Sequence, residues 1–155
     1  MKNIVITGGL GYIGTELCKI YSGYSWNNNI TVIDNRFVSE RVNQLRNWNI
    51  NFVQGDILDK DIVLRYCKSA DVIHHLAGIT DVPRVKSESS TDHDKKIKSV
   101  AEIGTQNILD AMSPKCKIIM PSTHVVFEGI KEVKNDILEE EQTNPVLSYG
   151  KSKDI

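Results

Sequence analysis

Apolar runs alternate with amphipathic stretches along the whole chain. Ile4-Val5-Ile6 is short, β-branched and uninterrupted, as a strand covered on both faces requires. Glycines follow, and then Ile13, Leu17 and Ile20 recur at helical spacing, which predicts a helix buried along that stripe. After the polar turn Asn27-Asn28-Asn29, Ile30 to Ile33 predicts a second strand. Asn51-Phe52-Val53-Gln54 is a weaker third strand, ended by Gly55-Asp56. A helix from about Asp59 to Cys67 is expected to bury Ile62, Val63 and Tyr66. Val72-Ile73-His74-His75-Leu76 gives a fourth strand. Beyond a polar stretch from Lys86 to Asp94, Thr91 and Asp94 have the spacing of a capping box. Ile97, Ala101, Gly104, Ile108 and Ala111 then carry a helix to about Met112. Lys117 to Met120 is a fifth strand, and Ser148-Tyr149 starts a last helix behind an acidic loop with Glu139, Glu140 and Glu141.

This alternation predicts an α/β fold, a Rossmann-like doubly wound parallel sheet of about five strands with helices on both faces. A length of 155 residues fits one domain over 1–155. With 19 basic against 20 acidic residues, the net charge of −1 speaks against a nucleic-acid grip. No apolar run approaches the roughly 18 residues of a membrane span. Met1-Lys2-Asn3 leads into only three apolar residues, so no signal peptide is expected and the compartment is expected to be the cytoplasm. Cys18, Cys67 and Cys116 form no C-x-x-C pair and read as buried, reduced thiols. His74 and His75 are adjacent on a strand and point to opposite faces, so they cannot share a metal, and no metal site is expected.

The chemistry begins in Thr7-Gly8-Gly9-Leu10-Gly11-Tyr12-Ile13-Gly14. Gly9, Gly11 and Gly14 fit G-x-G-x-x-G, and Gly8, Gly11 and Gly14 fit T-G-x-x-G-x-x-G. Both patterns answer one need: a tight turn, a backbone that a pyrophosphate can approach, and a helix starting close against the strand. The free N–H groups of that helix start then face the phosphates. Asp34 ends the second strand, 20 residues past Gly14, the offset at which a carboxylate can hold the adenosine ribose. A carboxylate there repels a 2′-phosphate, so NAD is expected over NADP, with Arg36 weakening that preference a little.

Tyr149-Gly150-Lys151-Ser152-Lys153 is a Y-x-x-x-K motif. On a helix, positions i and i+4 share a face, which brings an ammonium near a phenol and favours the phenolate. The spacing alone is weak; its place behind a strand ending in Ser122-Thr123 gives it meaning.

Together these motifs resemble the extended short-chain dehydrogenase/reductase family, the NAD-dependent epimerase/dehydratases, along all 155 residues. The glycine loop matches that family's opening, with Gly8, Gly11, Tyr12, Ile13 and Gly14 at cofactor positions. Val32-Ile33-Asp34-Asn35 resembles its ribose site, Gly55-Asp56-Ile57 its adenine contact, and His75-Leu76-Ala77-Gly78 its cofactor wall. Ser122-Thr123-His124-Val125-Val126-Phe127-Glu128-Gly129 resembles the segment with the catalytic hydroxyl, which falls on Thr123.

The resemblance implies that Tyr149 exchanges a proton with a sugar hydroxyl and that Thr123 holds the same oxygen. Lys153 would bind the nicotinamide ribose and lower the Tyr149 pKa, so Tyr149 and Lys153 also count as cofactor contacts. It further implies a nucleotide-sugar substrate, UDP-linked as in UDP-glucose 4-epimerase-like enzymes, and a homodimer. A C-terminal substrate-binding domain would lie outside these residues. A reductase or dehydrogenase on another alcohol or ketone, and a dinucleotide-binding module without catalysis, stay open. His124-Val125 stands where the family's 4,6-dehydratases carry Asp-Glu, which favours epimerisation or simple reduction over dehydration. Ala101 stands where the family carries Asn. The residues from Lys86 to Asp94 read as a solvated or a substrate-side loop, and His124 as a substrate contact or a surface position.

Overall fold

The computed structural model describes residues 1–24, 28–80, 91–131 and 136–154. The elements run β1 (Lys2–Thr7), α1 (Tyr12–Ser22), β2 (Asn28–Asp34), α2 (Ser39–Asn47), β3 (Asn51–Gln54), α3 (Lys60–Cys67) and β4 (Val72–His75). Then come α4 (Thr91–Ser99), a π-helical turn (Val100–Gly104), α5 (Thr105–Ala111), β5 (Lys117–Ile119), a 3-10 turn (His124–Phe127) and α6 (Ser148–Lys151). They form two units: Met1–Gly78 with Ile103–Pro121, and Ile79–Glu102 with Ser122–Ile155.

The first unit holds a five-stranded parallel sheet in the order β3-β2-β1-β4-β5. The chain leaves β1 in one direction for β2 and β3, then crosses back to β4 and β5. The carboxyl ends of β1 and β4 therefore flank the point where strand order reverses, the crevice in which open α/β sheets bind ligands. Ile4, Ile6, Ile30 and Val32 form one core cluster with Cys18 of α1 and Val42 and Leu45 of α2. On the other face α3 packs against α5.

Where β1 and β4 pair, Ile6 stands opposite His74 and Thr7 opposite His75. His74 accordingly reaches Tyr21 of α1 (2.8 Å), and His75 reaches Thr105 of α5 (3.0 Å). The two imidazoles do point to opposite faces. Burial lowers the His74 pKa below its usual value. All three cysteines are buried and unpaired. Burial pushes the Cys18 and Cys67 thiols up to about 12, with nearby Cys116 adding to the effect on Cys67.

Three readings of the helices change. Ile13 and Ile20 are 61% and 63% exposed, and α1 instead buries Gly14 and Cys18, with Leu17 and Tyr21 packed on the core. Small residues carry the contact because the helix start lies tight against the strand, which turns the larger side chains outward. In α3 the N-cap is Asp59, as expected, accepting from the N–H of Asp61 and of Ile62. Val63 and Cys67 are the buried residues there, while Ile62 and Tyr66 are half-buried. Between β2 and β3 the chain forms α2, which the hydrophobic pattern does not announce. Only Val42 and Leu45 of its nine residues are buried, too few to print a stripe.

The helix after residue 90 carries Ile97, Gly104 and Ile108 buried, as the spacing predicts, but it passes through the π-helical turn at Val100–Gly104. Residues 81–90 and the side chain of Thr91 lie outside the described residues, and with them most of the Lys86–Asp94 stretch and the capping box. In the second unit α4 packs against α6, and α6 against the 3-10 turn. Among the described residues, no helix is long and apolar enough to cross a membrane.

Candidate functional site

The turn after β1 is dictated by backbone crowding. Gly8 has φ +69°, and a Cβ there would stand 2.7 Å from the backbone of Ala77. A Cβ on Gly14 would lie 2.6 Å from the Gly8 carbonyl oxygen. Both positions thus exclude side chains for reasons internal to the protein. Gly11 differs. Its Cβ would stand 3.1 Å from the Gly8 carbonyl oxygen, a tight contact but less severe than those at Gly8 and Gly14, and 4.0 Å from an Arg36 nitrogen. Gly11 is also the N-cap of α1, which has neither a side-chain cap nor an acidic residue in its first turn. The first-turn N–H groups are left to an anion. Tyr12 and Ile13, 83% and 61% exposed, flank that approach.

Asp34 closes the cradle from the end of β2. Its side chain is 3% exposed. One oxygen accepts from the Leu10 N–H (3.0 Å), the other from the Arg36 N–H (3.0 Å). The Arg36 guanidinium adds longer contacts at 3.3 and 3.5 Å from a side chain that is 58% exposed. Those are the contacts a ribose hydroxyl would displace. Next to it, Asn35 donates to Asp56 (3.0 Å), and Asp56 also accepts from the Leu58 N–H (3.0 Å). Ile57 is 4% exposed; its carbonyl accepts from Asn107 (3.0 Å), and its side chain fills the space beside Gly104. Leu76 and Ala77 form the opposite wall. Leu76 donates its N–H to the Thr7 carbonyl (3.1 Å) and Ala77 to the Thr7 hydroxyl (3.2 Å), while Gly78 is exposed. Gly8 to Gly14, Asp34 and Asn35, Asp56 and Ile57, and Leu76 to Gly78 thus lie at the carboxyl ends of β1, β2, β3 and β4 along one edge of the sheet. The donor set, an uncapped helix start beside a carboxylate, fits a dinucleotide.

Two further side chains support the loop and this wall. His75 bonds the Thr7 hydroxyl through Nδ1 (2.8 Å) and the Thr105 hydroxyl through Nε2 (3.0 Å), tying β1 and β4 to α5. Arg41 of α2 donates to the Leu10 carbonyl. Sequence reasoning missed Arg41, whose partner is a backbone oxygen, and it placed His75 in the wall segment without its bonds to two hydroxyls.

The second unit carries Thr123, Tyr149 and Lys153. Thr123 is extended (φ −151°, ψ 150°), and its hydroxyl accepts from the Val125 N–H at 3.5 Å, capping the 3-10 turn. That long contact leaves the hydroxyl proton for another oxygen. Tyr149 lies on α6, which has only four residues. The helix ends before Lys153, whose N–H bonds the Gly150 carbonyl (3.0 Å), three residues back. The expected i, i+4 face therefore gives way to a helix followed by a tight turn. The Lys153 ammonium is disfavoured by burial, which lowers its pKa.

Side chains strap this segment to the one bearing Thr123. One Glu128 carboxylate oxygen accepts from the N–H groups of Val146 (2.8 Å) and Leu147 (2.6 Å), just ahead of α6. Asn144 donates its N–H to the Val126 carbonyl (2.8 Å) and its amide to the Gly129 carbonyl (2.8 Å). Ser122 donates to the Lys153 carbonyl (3.3 Å). A Cβ on Gly150 would come within 3.0 Å of the Val125 carbonyl, so glycine allows the close approach.

Comparison with known proteins follows the same lines. The pattern of the 3-beta hydroxysteroid dehydrogenase/isomerase family matches residues 5–155. The chain is 31% identical over 132 residues to UDP-N-acetyl-alpha-D-glucosaminuronate decarboxylase of Bacillus cytotoxicus, covering 81% of this chain and 38% of that protein. It is 27% identical over 166 residues to UDP-glucose 4-epimerase of Neisseria meningitidis serogroup C, covering 100% of this chain and 46% of the epimerase. The crystal structure of UDP-glucose 4-epimerase from Brucella ovis in complex with NAD superposes with a TM-score of 0.77 at 27% identity, over 99% of this chain and 45% of that one. The chain spans less than half the length of these relatives.

Proposed function

We propose that this chain, which belongs to the 3-beta hydroxysteroid dehydrogenase/isomerase family, is the NAD-binding half of an epimerase or related oxidoreductase acting on a nucleotide sugar. The observation that carries the reading is the uncapped start of α1 at Gly11, with the buried Asp34 carboxylate beside it. Nicotinamide-adenine chemistry needs both, one for the pyrophosphate and one for the ribose diol. The curated relatives include UDP-sugar enzymes, and this supports a UDP-linked substrate.

When bound, NAD supplies the hydride acceptor and donor at the sugar carbon. The chain's own residues manage the proton. Tyr149 takes the proton from the sugar hydroxyl through its phenolic oxygen and returns it when hydride comes back. Thr123 donates a hydrogen bond from its hydroxyl to the same oxygen and fixes its direction. Lys153 contacts the nicotinamide ribose. His124-Val125 beside Thr123 offers no acid pair for dehydration. A cytoplasmic location and a homodimer belong to the same reading.

A second reading has its own support: the matching family is named for a hydroxysteroid dehydrogenase, which favours simple oxidation of another alcohol. Tyr149→Phe tests what the two share. Wherever turnover of a UDP-sugar is measurable, it is expected to abolish hydride transfer while NAD affinity stays within about threefold. Equal loss of both would overturn the role given to Tyr149. UDP-sugar turnover against steroid-alcohol oxidation separates the readings themselves.

A further inference from the structure

We infer that Arg41 is a positioning residue of the pyrophosphate site, holding the peptide of Leu10 in the orientation that opens the loop to a dinucleotide. This rests on the cofactor reading above. Leu10 sits between Gly9 and Gly11 with its side chain fully buried in the cluster that joins β1, β2, α1 and α2. Its backbone N–H donates to Asp34 (3.0 Å), and its carbonyl accepts from the Arg41 guanidinium on α2. Charged side chains from two other elements therefore fix both polar groups of the residue at the middle of the turn.

The geometry links two subsites. Asp34, the carboxylate placed for the adenosine ribose, also orients the loop that receives the pyrophosphate. Arg36 is bound to Asp34 and lies 4.0 Å from where a Gly11 Cβ would stand. Asp34, Arg36 and Arg41 together carry a net charge of +1 in front of the uncapped α1, a field that suits a pyrophosphate. Without Arg41 the Leu10 carbonyl loses its donor, and the peptide is free to turn that oxygen toward the uncapped first turn of α1. A carbonyl oxygen there repels phosphate.

The test is NAD and ADP-ribose titration of the 155-residue chain with Arg41→Met, Arg41→Gln and Arg41→Lys. Methionine keeps length without a donor, glutamine keeps a donor without charge, and lysine keeps both. Arg41→Met is expected to weaken both ligands about tenfold, with Arg41→Lys within about threefold and Arg41→Gln between. Because Asp34 and Arg41 act on one peptide, Asp34→Asn is expected to cost less in the Arg41→Met background than alone. Affinity equal to the parent's in Arg41→Met, or strict additivity with Asp34→Asn, overturns the proposal. Hydrogen exchange of the loop at residues 8–14 without ligand is the second readout. It is expected to quicken in Arg41→Met and recover in Arg41→Lys. Should the parent chain bind neither ligand, the cofactor reading fails by itself. Unchanged exchange in Arg41→Met would then still overturn the role of Arg41.

Discussion

In the first unit the loop after β1 is shaped by backbone meeting backbone: Gly8 against Ala77, Gly14 against Gly8, and Gly8 N–H laddered to Ile33. In the second unit the four-residue α6 is held by side chains, with Glu128, Asn144 and Ser122 reaching across to its flanks. Backbone contacts of this kind admit almost no alternative, so the cradle is spelled out by glycines. A strap of side chains can be built in many ways. The short helix nucleates poorly by itself and takes its order from the strap.

The largest effect should come from pressing on that difference within the cradle. Gly8→Ala must place a Cβ at φ +69° and 2.7 Å from Ala77, at a cost of about 3 kcal/mol in urea unfolding. Gly11→Ala brings a Cβ to 3.1 Å from the Gly8 carbonyl oxygen, a milder contact that should cost about 1 kcal/mol, yet weaken NAD by at least about tenfold. If the two variants lose stability equally, the division between packing glycines and a ligand glycine is wrong.

The strap comes next. Glu128→Ala should speed amide exchange across residues 146–153 about tenfold, while Glu128→Gln, which keeps an acceptor oxygen, should stay within about threefold. Equal exchange in both would show that the helix does not depend on that carboxylate.

The smallest effect separates buried ionisable groups by pH. His74 has its pKa lowered by burial, so the unfolded chain binds more protons as pH falls below 6.5, and stability should drop there. Cys18 and Cys67 rise from 9.0 to about 12, so between those values the unfolded chain releases protons first, and stability should fall as pH rises. A plateau from about pH 7 to 9 is expected in urea midpoints, and Cys18→Ala should flatten the alkaline limb. A limb unchanged by that substitution would mean the thiol does not drive it.

Much of the fold was legible because it follows from β-branched runs and glycines. Ile4-Val5-Ile6, Ile30 to Ile33 and the turn between them define the first βαβ without help from anything distant. Less was legible where small or polar residues do the packing. α2 shows only Val42 and Leu45 to the core, and α1 turns Gly14 and Cys18 inward where the pattern favoured Ile13 and Ile20. The π-helical turn at Val100–Gly104 leaves the apolar spacing nearly intact and so hides in it. Asp34 was visible from its offset. Arg41 was not, since it serves a backbone oxygen that has no sequence signature, and the bonds of His75 to two hydroxyls were hidden for a similar reason.

The central claim is that the loop from Gly8 to Gly14 and Asp34 form a dinucleotide cradle. Calorimetric titration of the 155-residue chain with NAD, beside Gly11→Ala, tests it most directly. The account predicts saturable binding by the parent chain, with a rise in melting temperature, and marked weakening in Gly11→Ala without loss of fold. No binding at millimolar NAD by a folded parent chain would contradict it.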